Sequence, residues 1–292
     1  MRAYVHNRGG ATCLSQTIDW LVVGFLVLIG EARMKRLWRW MLVVVLSTAA
    51  SAHADDGPVI AAASDLKFAL DEVVAEFRKS TGQAVRVSYG SSGNFFRQIA
   101  QDAPFELFLS ADEEFVFRLA DQGMTLDRGA LYATGRIVLF APKGSPVQPD
   151  PRFADVRQAL ADGRLVKLAI ANPEHAPYGR AAMEALKSAG LWSAIEPKLV
   201  LGENVSQAAQ FAVSGSTQAG IFALSLALGP NFRDAGSYVL IPEALHRPLR
   251  QRMVLTRKAG STARAFYAFS QGPVARAIFK RYGFLLPGES AS

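Results

Sequence analysis

From residue 58 onward, short apolar runs alternate with longer amphipathic stretches. "VIAAAS" (59–64), "VRVSYG" (85–90) and "ELFLSA" (106–111) are β-type runs, each followed by a helical pattern that begins near Asp65, Asn94 and Glu113. In the first of these patterns Leu66, Ala69, Leu70, Val73, Val74 and Phe77 share one helix face, which predicts a helix with a buried stripe. The rhythm restarts after "GRIVLFAPKGS" (135–145). It continues through "LVKLAIANP" (165–173), a helix over 180–189, "KLVLGENV" (198–205), a helix from Ser206 and "AGIFAL" (219–224). Strands alternating with helices predict βαβ units, hence mostly parallel sheets flanked by helices, here in two α/β lobes. The final "RQRMVLTRKAG" and "STARAFYAFSQGPVARAIFKRYGF" supply one more strand and two helices broken at Gly272-Pro273, in position to return to the first lobe. The expected division is 55–134 with 250–292 for lobe I and 135–249 for lobe II. No internal repeat or low-complexity linker interrupts it, and "KGSPVQPDPRF" (143–153) is a Pro-rich loop.

The N-terminal segment has a different character. "MKRLWRWMLVVVLSTAASAHA" (34–54) combines a basic start, a short apolar stretch and a small-x-small end at Ala52-His53-Ala54, the pattern of a secretory signal cleaved before Asp55. The segment 1–33 upstream carries an apolar run from Trp20 to Ile29 that is short for a bilayer span, and it reads as an over-called extension. A periplasmic location follows from the signal.

Removing 1–54 changes the charge balance. That segment holds six of the 32 Lys/Arg and two of the 25 Asp/Glu, which leaves 26 against 23 and a net charge of +3. Such a balance lacks the footprint of a nucleic-acid binder. The single cysteine, Cys13, also falls in the removed part, so the mature chain offers neither disulfides nor thiolate ligands.

In open α/β sheets ligands sit beyond the carboxyl ends of strands, where helix N-termini converge. The residues there are Ser64-Asp65, Gly90-Ser91-Ser92-Gly93, Ser110-Ala111-Asp112, Asn172 to Gly179 and Asn204-Val205-Ser206, which are mostly hydroxyls, small residues and bare amides. A serine nucleophile at Ser91 or Ser92 would need a histidine base, yet "YGSSG" is not G-x-S-x-G. Only His175 and His246 are available after residue 54: His175 reads as a solvated or capping residue and His246 as a surface-loop residue. Side-chain metal coordination has no support, since paired histidines and carboxylate clusters at ligand spacing are missing, and no glycine-rich nucleotide loop occurs. An anion cradle fits the pattern better. Ser64 and Ser92 read as N-caps whose hydroxyls could turn to a bound oxyanion, beside helix amides that favour negative charge.

The blocks "AAASDLKFALDEVVAEF", "SYGSSGNFFRQIAQDAPFELFLSADEE", "GRIVLFAPKGS", "NPEHAPYGRAAMEALKSAGLW", "KLVLGENVSQAA" and "GPVARAIFKRYGF" resemble, in that order, periplasmic molybdate-binding proteins of ABC transporters. The resemblance spans nearly all of 57–285, and A-A-A-S, a Ser-rich turn before R-Q-I, and N-P-E-H-x-P are its specific motifs. It implies a two-lobed periplasmic-binding-protein fold of type II, with the ligand cleft between lobes. It further implies a monomer without catalytic residues or cofactor, which takes molybdate or tungstate through neutral donors and hands it to a membrane permease. Position by position, it implies hydroxyl donors at Ser64 and Ser92, a backbone N–H at Val205 and a ligand-facing group at Tyr178. Some members place a tyrosine in the strand reading "GIFALS", where this chain has Ala223, so Tyr178 is expected to take over that donor role. Asp65 is expected to offer its backbone N–H, with its carboxylate turned away from the dianion toward the helix dipole. Sulfate or phosphate binding and a secreted serine-dependent hydrolase are the alternatives. Phosphate, which keeps a proton at neutral pH, would be favoured by an inward Asp65.

Overall fold

The computed structural model describes residues 57–289; the signal-peptide assignment to 34–54 and the extension 1–33 lie outside them. Ten strands form two sheets: β1 (Val59–Ala63), β2 (Arg86–Gly90), β3 (Leu107–Ser110), β4 (Ala130–Gly135), β5 (Ile137–Pro142), β6 (Leu168–Ala171), β7 (Leu199–Gly202), β8 (Ala219–Ala223), β9 (Gly236–Leu240) and β10 (Leu249–Leu255). The helices are α1 (Lys67–Thr81), α2 (Ser92–Ala100), α3 (Glu113–Asp121), α4 (Ala154–Ala161), α5 (Pro177–Ser188), α6 (Trp192–Ile195), α7 (Val205–Val213), α8 (Leu224–Ala227), α9 (Ser261–Ser270) and α10 (Pro273–Arg281).

The first sheet runs β2-β1-β3-β10-β4 and the second β7-β6-β8-β5-β9. Both are mixed rather than mostly parallel. β1, β2 and β3 are parallel, as are β6, β7 and β8, while β10 and β5 each pair antiparallel on both sides. The antiparallel strands arise where the chain changes sheets. Only Arg136 separates β4 from β5, too short a connection for a helical crossover, and β10 re-enters the first sheet between β3 and β4 after the second sheet is complete.

Alternation along the strands places the cores. Ile60, Ala62, Leu107 and Leu109 pack with Phe77, Phe266 and Phe279 on one face of the first sheet, and Ala61 and Phe108 pack with Phe95 and Phe115 on the other. A third core surrounds Phe140, Phe153 and Phe222 of the second sheet and also takes in Ala63 and Ala111 at strand ends of the first. Burial on both faces explains why β1, β3 and β6 read as continuous apolar runs. Helix α1 buries Ala69, Leu70, Val73 and Phe77 and stops at Gly82, which sits in the left-handed region at φ 72°. Arg136, at the crossing, donates from Nε and Nη2 to the Gly283 carbonyl at 2.9 and 2.7 Å, which ties the crossover to the C-terminal helices.

Candidate functional site

The carboxyl ends of β1, β2, β6 and β7 meet at a small chamber lined by Ser64 and Asp65, Ser91 and Ser92, Ala176 to Tyr178, and Val205. Three helices of eight or more residues, α2, α5 and α7, begin at this point. Their first-turn N–H groups have no intrahelical carbonyl to bond and carry the positive end of the helix dipole. Pro177 opens α5 at a position where its missing N–H costs nothing, and Asn204 caps α7 by accepting from the Gln207 N–H at 3.1 Å. Asp65 and Tyr178 are the only ionisable side chains among the lining residues, and there is no lysine, arginine or histidine among them. Ala223, which ends β8, does not line the chamber.

All five residues singled out from the sequence border this chamber, but three hydroxyls are engaged otherwise than expected. Ser64 is not an N-cap. Its Oγ donates to Asn204 Oδ1 at 3.0 Å and accepts from the Ser206 N–H at 3.2 Å, while Ser206 Oγ donates to the Ser64 carbonyl at 2.8 Å, so it bonds from the first sheet to the second. Ser92 is not the cap of α2 either; Ser91 holds that position, and Ser92 is the first helical residue. Its buried Oγ accepts the Ala111 N–H at 2.9 Å and keeps its own proton free to donate. The Tyr178 hydroxyl donates to Asp65 Oδ2 at 2.9 Å and accepts from Gln251 Nε2 at 3.0 Å. Val205 is the first residue of α7, where its N–H is one of the orphan donors.

Asp65 departs furthest from expectation. Its side chain does not turn out to serve a helix dipole but is buried, 1% exposed, with Oδ2 accepting from Gln251 Nε2 at 2.6 Å as well as from Tyr178. Oδ1 is buried with no partner. Burial raises this carboxyl from its ordinary 3.8 to about 6, against the opposing pull of the Gln251 and Tyr178 hydrogen bonds. Burial and the neighbouring Asp65 charge push the Tyr178 phenol well above its ordinary range, so it remains a neutral donor.

Sequence reasoning missed Gln251, Tyr132 and Gly135. Tyr132 donates to Gln251 Oε1 at 2.6 Å, which orients the amide so that its NH2 faces Asp65. Gly135 must lack a side chain, because a Cβ there would lie 2.1 Å from Tyr178 Oη. His175, read as a solvated or capping residue, is buried and bonds through Nδ1 to Ser91 Oγ at 2.9 Å; its Nε2 lies 3.6 Å from Glu203, a side chain 72% exposed. His246, read as a loop residue, is also buried, 8% exposed. The order serine, histidine, acid is present, yet the acid is solvated and beyond hydrogen-bond reach, which a base-orienting acid is not. The Ser91–His175 pair instead joins the turn after β2 to the loop before α5, beside a second bond from the Gly93 N–H to the His175 carbonyl at 2.9 Å. Together they clasp the two sheets' loops across the chamber.

Residues 58–285 match the family of bacterial extracellular solute-binding proteins. Molybdate-binding protein ModA of Rhodobacter capsulatus is 36% identical over 248 residues, which cover 84% of this chain and 94% of that protein. ModA of Escherichia coli is 33% identical over 247 residues, 82% of this chain and 93% of that protein. The periplasmic molybdate-binding protein of Azotobacter vinelandii superposes with a TM-score of 0.72 at 32% identity, covering 79% of this chain and all of that structure. Continuous similarity across both sheets and every loop of the chamber leads to one conclusion: the chain belongs to the bacterial extracellular solute-binding proteins, on the branch of the molybdate-binding proteins.

Proposed function

We propose that the chain is the capture component of an ABC transporter, which takes molybdate, or the equally sized and charged tungstate, into the chamber and delivers it to a membrane permease. The observation that carries this reading is a buried chamber where three helix N-termini and two serine hydroxyls converge with no basic side chain in its wall. Neutral donors of this kind suit a fully unprotonated dianion, each charge-assisted hydrogen bond contributing about 1.5–3 kcal/mol. Ser64, Ser92, Tyr178 and the Val205 N–H are the proposed ligand contacts, with the Asp65 N–H beside them. Ser92 has its proton available, whereas Ser64 must turn its own away from Asn204 to reach a ligand. With the two sheets as the lobes, residues 57–135 with 249–289 form one and 137–248 the other, a residue away from the expected division at each crossing because Gly135 ends β4 and Leu249 begins β10. The lobes hinge where the chain crosses between sheets, and the protein acts as a periplasmic monomer.

Calorimetric titration of the protein with molybdate, tungstate, sulfate and phosphate tests the proposal. Molybdate and tungstate are expected to bind far more tightly than the other two; sulfate binding of equal strength overturns it. In the same titration Ser92→Ala is expected to weaken molybdate binding by about 1–2 kcal/mol, roughly fivefold to thirtyfold, because a donor is lost and the Ala111 N–H loses its acceptor. Ser91→Ala releases only the clasp to His175 and is expected to cost less. A reversed ranking would move the donor role to Ser91.

A further inference from the structure

Asp65 places a carboxyl group in the wall of a chamber built for an anion. Its Oδ1 is buried without a hydrogen-bond partner, and Oδ2 takes both of the donors that reach it, from Gln251 on β10 and Tyr178 on α5. The side chains that bond this carboxyl carry no charge, and on the packed elements α1 and β2 the cation of Lys67 pairs with Asp71, to which Tyr89 also donates. Tyr178 and, through Gln251, Tyr132 on β4 are phenols held neutral by burial and by the Asp65 charge itself. Ser225 on α8 bonds only the Asp65 main-chain carbonyl, at 2.7 Å, and His175 in the loop before α5 gives its Nδ1 to Ser91. Among the described residues no cation pairs with this carboxyl. A dianion entering the chamber would therefore meet an ionised, uncompensated carboxylate in a medium that screens poorly. A neutral carboxylic acid removes that repulsion, and its O–H supplies a donor.

We propose, on the reading that the chamber takes molybdate, that Asp65 enters the complex as a neutral carboxylic acid, so that each captured dianion brings one proton from solvent onto Oδ1. The unpartnered acceptor becomes a further donor to the ligand. Neutralising Asp65 also weakens its hold on the Tyr178 proton, which is then available to the same ligand. The carboxyl, already raised to about 6 by burial, is raised further by the bound charge. Affinity is consequently greatest below that value and falls with increasing pH, by up to tenfold per pH unit, until the bound-state value is passed. Hydrogen phosphate, in contrast, carries its own proton and would satisfy the ionised carboxylate with no uptake.

Molybdate titration calorimetry at about pH 7.5 in buffers of different ionisation enthalpy counts the protons directly. The expected result is uptake of close to one proton per molybdate by the wild-type protein. In Asp65→Asn, which carries a permanent amide donor, uptake is expected to vanish and affinity to become flat with pH; a purely structural Asp65 would leave the proton count unmoved. Tight molybdate binding with no proton uptake in wild type overturns the proposal and leaves the transport function standing. Phosphate bound tightly with no uptake, in place of molybdate, overturns both. An absence of heat with all four anions at every pH removes the functional reading and this proposal with it.

Discussion

A Gly93→Ala protein is expected to keep its fold and lose at least about a hundredfold in molybdate affinity, close to 3 kcal/mol. Gly93 is the second residue of α2, in ordinary helical conformation, where alanine is the better helix former. The three atoms nearest to an added Cβ all belong to His175. The obstacle is across the chamber, where the added Cβ would lie 2.6 Å from the His175 carbonyl oxygen and 3.0 Å from its Cα. Those atoms belong to the backbone entering α5, which positions Tyr178, so they cannot swing aside as a side-chain end would. The closed arrangement must open by a fraction of an ångström to several, separating the donors of α5 and α7 from those of α2. An equilibrium displaced from the binding-competent state lowers apparent affinity by the fraction lost. Titration with molybdate and ligand-free thermal unfolding, measured together, separate this from a folding defect. Wild-type affinity in Gly93→Ala would show that closure does not need this contact.

The same reach across the chamber limits what could be read from the sequence. The central strands were legible because burial on both faces makes "VIAAA", "LFLS" and "LAIA" continuous apolar runs. Strands β4 and β9 were not: "ALYATG" is part-exposed and "GSYVL" largely so, and neither shows the β-branched or apolar run that made the other edge strands, "VRVSYG" and "KLVLGENV", readable. Among site residues, those at carboxyl ends of parallel strands were found by the general rule for α/β sheets and by resemblance. Gln251 escaped because it lies inside β10, an antiparallel strand. A signal was nevertheless present: Leu249, Gln251, Met253 and Leu255 share one face, so an amide stands in an apolar phase. A buried glutamine in that register calls for a polar partner. Asp65 was misread for a related reason. An acid in the first turn of a helix ordinarily serves the dipole from the surface, and only the folded chain shows Tyr178 and Gln251 drawing it inward.

That inward carboxylate should be measurable in the free protein, without any ligand. A carboxyl held at about 6 in the fold against an ordinary 3.8 penalises the native state at neutral pH by on the order of 3 kcal/mol, an upper bound for what its neutral isostere recovers. The sign follows from proton binding. Between those two values the folded protein holds a proton on Asp65 that the unfolded chain has released, so its stabilising effect is complete below about 4 and lost as pH rises through 6. Asp65→Asn abolishes the titration. Its Oδ1 can still accept from Tyr178 and Gln251, although its NH2 group then stands where Oδ1 now lacks a partner and returns part of the gain as an unsatisfied donor. The ligand-free variant is therefore expected to exceed wild type by about 1–3 kcal/mol at pH 7.5 and to converge with it near pH 4. Chemical denaturation at both pH values measures the difference. A gap that stays constant between them would mean that the carboxylate ionises in place at little cost, and would remove the physical basis for binding molybdate against a protonated Asp65.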